Sequence, residues 1–162
     1  MQKFESERKR AGEMRLEYRL DDNYKEYPAL WNYLHLSTAE TVARMTCEFF
    51  VKEGDTYSVT ATAMDPDGTL ALYVQKEQFP KDTTEPVYSH IGLEIREITL
   101  VGSTLVEKRD IWEHEEVLPI LHSDSIYIQR NGKFMEFALD SREIDEDRKC
   151  YVYYGKFTGE SR

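Results

Sequence analysis

The chain has 162 residues, 40% of them hydrophobic, 12% aromatic and 32% charged, with a formal net charge of −10. That length suits one domain, which can bury roughly two thirds of its unfolded surface and needs neither a disulfide nor a metal to fold. The apolar content argues against disorder, and the acidic balance argues against nucleic acid or anionic lipid as partners.

The first twenty residues mix Lys3, Arg8, Lys9, Arg10, Arg15 and Arg19 with four glutamates. Residues 1–12 read as a mixed-charge, poorly ordered N-terminus. They are followed by no apolar segment of secretory type, and no run reaches the roughly 18 residues of a membrane span. A cytoplasmic protein is expected, with Cys47 and Cys150 reduced, because their spacing matches no metal or redox motif.

"PALWNYL" suggests a short helix near 28–35, begun by Pro28. "STAETVARMTCEFFVKEG" reads as the main helix, 38–53. Ser37 and Glu40 have capping-box spacing, the apolar positions run from Ala39 to Phe50 at helical period, and Gly54 is a stop. Beyond Gly54 the period becomes two, and "DPDG" sits between two β-rich runs. That predicts a hairpin over 56–75 with Met64 opposite Leu70, Thr62 opposite Leu72 and Thr60 opposite Val74.

Residues 77–89 read as a loop. The run from Ile91 alternates and then slips phase near Arg96 and Glu97, which predicts a bulge. A turn at Gly102-Ser103 then leads to a strand around Leu105. "SIYIQRNGKFMEFAL" carries Asn131-Gly132, the preferred pair for a two-residue hairpin. It implies a hairpin at 125–139, with Arg130 opposite Lys133, Ile128 opposite Met135 and Ile126 opposite Phe137. An acidic loop, "DSREIDEDR", precedes a last strand at 149–157. No internal repeat is evident. The expected architecture is a single α+β domain over 1–162, an antiparallel sheet of about six or seven strands with the main helix across one face.

"DIWEHEEVLPILH" concentrates His114, His122, Glu115 and Glu116, which raises a metal site. A zinc hydrolase helix needs histidines four apart on one face. His114 and His122 are eight apart with Pro119 between them, so local geometry does not join them. A short helical turn is expected here, with Val117, Leu118, Ile120 and Leu121 inward, the glutamates near its start, and no cofactor. A site assembled with His35 or His90 has no spacing to support it. The acidic loop lacks the calcium-loop pattern. Cys47 falls in a helix as a packed thiol, and no nucleophile elbow or phosphate-binding glycine loop is present.

The order of helix, helix and hairpin also fits a winged helix, but Glu40, Glu48, Glu53, Asp65 and Asp67 are wrong for DNA. Acidic nucleic-acid mimicry is weakened by the 21 interspersed basic residues. The leading expectation is therefore a non-enzymatic binding or regulatory domain. It would contact a protein partner or a second copy through tyrosines Tyr127, Tyr151, Tyr153 and Tyr154. The alternative is a small-molecule or metal-dependent enzyme centred on His114 and His122.

Overall fold

A computed structural model describes residues 13–78 and 85–162. The expected disordered N-terminus, 1–12, lies outside the described residues.

The chain folds as β1 (Glu13–Leu20), β2 (Ala29–Ser37), α1 (Thr38–Thr46), β3 (Phe49–Lys52), β4 (Asp55–Met64) and β5 (Leu70–Lys76). Then follow β6 (Gly92–Thr99), β7 (Gly102–Asp110), a 3₁₀ turn (His114–Val117) running into α2 (Leu118–Leu121), β8 (Ser125–Arg130), β9 (Lys133–Asp145) and β10 (Cys150–Ser161). The ten strands form one sheet ordered β2-β1-β5-β4-β3-β9-β10-β6-β7, with β8 paired to β9 beside that path. The expected α+β domain, an antiparallel sheet of six or seven strands under one main helix, is thereby corrected: the described residues are mostly β. The sheet is larger and mixed, with parallel pairs at β1/β5, β6/β10 and β3/β9.

Two helix assignments are overturned. Residues 29–37 are strand β2, because its alternation sets Leu36 and Tyr33 against β1. The main helix ends at Thr46 instead of reaching residue 53. Phe49, Phe50 and Val51 are strong β-formers, and pairing with β4 and β9 on both sides satisfies their backbone. The "acidic loop" is mostly strand, since β9 runs to Asp145 and only four residues turn before β10. Turn chemistry fared better. Asn131 and Gly132 take positive φ, and the three predicted pairs across them are present. Met64↔Leu70 and Thr62↔Leu72 also hold, but a bulge puts Val59, not Thr60, opposite Val74. A register shift between Ile95 and Arg96 marks the expected bulge.

The topology contains a repeat. The first half is ordered β2-β1-β5-β4-β3 and the second β7-β6-β10-β9-β8, each with its helix between the second and third strands. In each half the first strand pairs in parallel with the fifth and antiparallel with the second. Smaller details repeat as well. The Val59 N–H donates to the Glu48 carbonyl, and the Leu139 N–H donates to the Asp124 carbonyl, each just before the third strand. The two helices meet at equivalent positions, where Thr46 Oγ1 lies 3.1 Å from His122 Nε2. The expectation of no repeat is thus corrected at the level of topology.

The helices lie on one face of the sheet, over the apolar core. Leu16, Tyr18, Phe50, Leu72, Val74, Leu93, Val117, Leu121 and Tyr151 are buried there, and Tyr18 stacks on Phe50 at 3.9 Å. Val117 and Leu121 of the short helical turn point inward as expected. Among the described residues no helix is long and apolar enough to cross a membrane.

Candidate functional site

The opposite face of the sheet is polar, and the repeat writes the same constellation on it twice. In β1, Glu17 and Arg19 are two apart and therefore share a face. Arg19 Nε donates to Glu17 Oε1 at 2.9 Å, and Arg19 lies directly opposite Tyr73 of β5. In β6, Glu94 and Arg96 repeat the arrangement. Arg96 Nε donates to Glu94 Oε1 at 2.6 Å, and Arg96 lies opposite Tyr154 of β10.

The two copies differ in cover. Arg19 remains near solvent and is also held by Asp65. The second copy is roofed by the segment leading into β6. The Tyr88 hydroxyl donates to Glu94 Oε2 at 2.6 Å, and Arg148 donates both to Glu94 and to the Pro86 carbonyl. Glu85 binds Arg96 Nη2 at 2.7 Å. Glu94 is wholly buried, and burial alone would raise its pKa. Hydrogen bonds from Arg96 and Tyr88 and the charge of Arg148 outweigh that, so the carboxyl titrates below its ordinary value. Tyr154 donates to Glu143 Oε2 at 3.1 Å. Burial and the Glu143 charge push its phenol upward, so the hydroxyl stays a donor.

Beside this network lies a cavity of about 520 Å³, walled by Phe49, Thr56, Glu85, Arg96, Ile98, Val101, Ser103, Asp140, Ser141, Glu143, Arg148 and Tyr154. The volume falls within the range of small-molecule pockets. Thr56 is 3% exposed, and its Oγ1, itself buried, has no hydrogen-bond partner among the described residues. A buried hydroxyl in that state costs free energy unless something else meets it.

The residues singled out from sequence lie elsewhere, apart from Tyr154. Tyr151 and Tyr153 are buried in the core under the helices, and Tyr127 is exposed on β8, so the four tyrosines share no outward face. His114 Nδ1 lies 2.6 Å from the Tyr151 hydroxyl, and its Nε2 lies 3.1 Å from Glu40 Oε1. His122 faces Thr46 and the Leu118 carbonyl. Glu116 caps the helical turn through the N–H groups of Trp112 and Glu113, and Glu115 is exposed. His90 packs on Trp112, and His35 is exposed on β2. His114 and His122 therefore do not converge. Among the described residues no group of three or more His, Cys, Asp or Glu is placed to hold a metal ion.

Glu94, Arg96, Arg148 and Thr56 are not among the site residues expected from sequence. A signal for the first two was present: Leu16-Glu17-Tyr18-Arg19 and Leu93-Glu94-Ile95-Arg96 are one pattern written twice. No protein-family model, curated protein or solved structure matches the chain.

Proposed function

We propose that the chain is a non-enzymatic binding domain that seats a ligand in the cavity on the polar face of its sheet. The observation that carries this is the cavity's wall. The copy of the Glu–Arg–Tyr constellation beside it is the one made rigid, with Arg96 and Arg148 locked by Glu94 and by the covering segment. A wall with fixed rotamers can meet a ligand without losing further side-chain entropy. The described lining also has no cysteine or histidine that could serve as nucleophile or general base near neutral pH. Two free, buried cysteines fit the cytoplasmic setting expected from the sequence.

A fragment titration of the full chain followed by amide NMR tests the reading. Shifts should gather at Phe49, Thr56 and Tyr154, and should vanish when Ser141→Trp fills the cavity. Fragments that perturb only other surfaces, or that ignore Ser141→Trp, would remove the proposal. A protein-partner surface has narrower support, in Tyr127 and the 51%-exposed Phe134 on the neighbouring hairpin strands β8 and β9.

A further inference from the structure

The second half of β4 is open, although β4 lies inside the sheet between β5 and β3. Residues 60–64 are exposed in succession, and therefore on both faces, while Leu70, Ala71, Leu72 and Val74 on the adjoining β5 are buried. β3 pairs only with residues 55–58. The bonding phase of the rest follows from the turn. The Asp65 N–H donates to the Thr69 carbonyl at 2.8 Å, which makes Ala63↔Ala71 a bonded pair. The N–H and C=O groups of Thr62 and Met64 then point away from β5, and among the described residues no strand meets them.

The repeat indicates what this edge takes. β9 is the counterpart of β4, and its second half carries β3 as a parallel partner. β10 runs along one edge of β9, so β3 and β8 share the other. β8 therefore lies on the side that the open half of β4 faces, and it runs parallel to it. The counterpart of β3 on β9 is β8 on β4, and that pair is not formed.

We propose that this edge takes an extended peptide from a partner protein, paired parallel to β4, with a β-branched run ending in acidic residues. The parallel sense follows β3 on β9. The uncharged run follows from "TYSVTATAM", residues 56–64, which holds no charged residue in a chain that is 32% charged. Strand edges that must stay single carry charges, as β7 does at the end of the sheet with Glu107, Lys108, Arg109 and Asp110. The acidic end follows from the cations there. Arg130 and Lys133 face each other where β8 ends, and the Arg162 N–H joins the Phe134 carbonyl beside them. All three are exposed and make no ion pair among the described residues; Arg130 and Arg162 lie over the rings of Phe157 and Tyr127 at 4.5 and 4.8 Å. On the β4 side Asp65 and Asp67 are already met by Arg19 and Arg15. A second copy is the poorer occupant, because it brings a whole body of net charge −10.

The probe is the peptide acetyl-Val-Thr-Val-Thr-Val-Asp-Asp-amide, titrated into the full chain by fluorescence anisotropy and amide NMR. Shifts and slowed hydrogen exchange should appear at Thr62 and Met64. The same peptide ending in Lys-Lys should bind roughly tenfold more weakly, as should Asp-Asp peptide on an Arg130→Ala, Lys133→Ala double variant. N-methylation along the apolar run removes the peptide's donors without touching the protein, and should abolish binding. Thr62→Pro should do the same, since it deletes an outward N–H that the β4–β5 ladder does not use. Binding that survives N-methylation is not strand addition and overturns the proposal, as does binding that leaves Thr62 and Met64 unperturbed. Equal affinity for the Asp-Asp and Lys-Lys peptides overturns the acidic end. Slowed exchange at Thr62 and Met64 that grows with protein concentration in the absence of peptide, together with a dimer in sedimentation, makes a second copy the occupant and overturns the partner peptide.

Discussion

Arg19 and Arg96 occupy the same place in two successive repeats: each is bonded to the glutamate two residues before it and lies opposite a tyrosine of the fifth strand. One pattern thus serves two environments. The glutamate side chain is 21% exposed in the first repeat and 0% in the second. The strand arrangement occurs twice, and the segment leading into β6 makes the second copy an interior network.

That difference predicts unequal costs for the same substitution. Glu94→Gln removes the charge that Arg96, Arg148 and Tyr88 share, and leaves buried guanidinium groups undercompensated. The expected loss is about 3–5 kcal/mol. Glu17→Gln acts on an ion pair near solvent and should cost below about 1 kcal/mol. Urea denaturation of the two variants beside the parent measures both. Equal losses would mean that the roof over Glu94 adds nothing.

The helix face carries a pH-dependent contact. Glu40 receives His114 Nε2 at 3.1 Å and Arg44 Nε at 2.9 Å. Burial would raise its carboxyl, but the His114 hydrogen bond and the Arg44 charge prevail, and it is lowered from 4.5 to about 2. A carboxyl depressed on folding stabilises the fold fully above its unfolded value. That stabilisation fades as pH falls from about 4.5 through about 2, because the unfolded chain then binds the extra proton. The parent should therefore exceed Glu40→Gln by on the order of 2 kcal/mol at pH 6, with the gap closing by pH 2. Stability curves for both proteins across that window provide the check, and a gap independent of pH contradicts the assignment.

Both cysteines should be silent in the native protein. Cys47 and Cys150 are 1% and 2% exposed, and burial pushes each thiol above its ordinary pKa. Little thiolate forms near neutral pH, and a reagent has no path to it. A disulfide reagent such as dithionitrobenzoate should label neither in buffer and both in strong denaturant. Rapid labelling of either thiol without unfolding would show that its element opens locally.

What was legible in the sequence follows from the range of the forces involved. The Asn131-Gly132 and Pro66-Asp67-Gly68 turns are local chemistry, and their registers were read correctly to within one bulge. The short helix at Leu118–Leu121 was also visible, because its proline and apolar spacing are local. The short helix expected near 28–35 and the last turns of the main helix expected over 38–53 are strands, because apolar residues on a short segment satisfy helix and strand alike. Partners far along the chain decide between them, as Phe49 shows by pairing with Glu143. The cavity was hidden for the same reason. Thr56, Arg96, Glu143 and Arg148 meet only through strand order, whereas the histidines that drew attention are adjacent in sequence and engaged separately in space. Only the doubled Leu-Glu-x-Arg offered a sequence-level hint.

The seam between the repeats should be the first part of the sheet to open when its clamp is cut. β3 joins β9 over only three paired residues, Phe49↔Glu143 to Val51↔Asp145. Arg142 secures that junction. Its backbone N–H donates to Glu48 Oε2 at 2.7 Å, its guanidinium also binds the Glu48 carboxylate, and its Nη1 donates to the Leu121 carbonyl at 2.9 Å. One side chain therefore ties β9 to the start of β3 and to the end of α2. Arg142→Lys keeps the charge but loses the planar fork that reaches both partners. Glu48 is 40% exposed, so the global cost should stay modest, about 1–2 kcal/mol. Hydrogen exchange should nevertheless rise selectively at Phe49–Val51 and at 143–145, while Leu70–Val74 in the interior of the first repeat stays protected. A uniform rise across both repeats would mean that the halves unfold as one unit and that the junction is not a boundary.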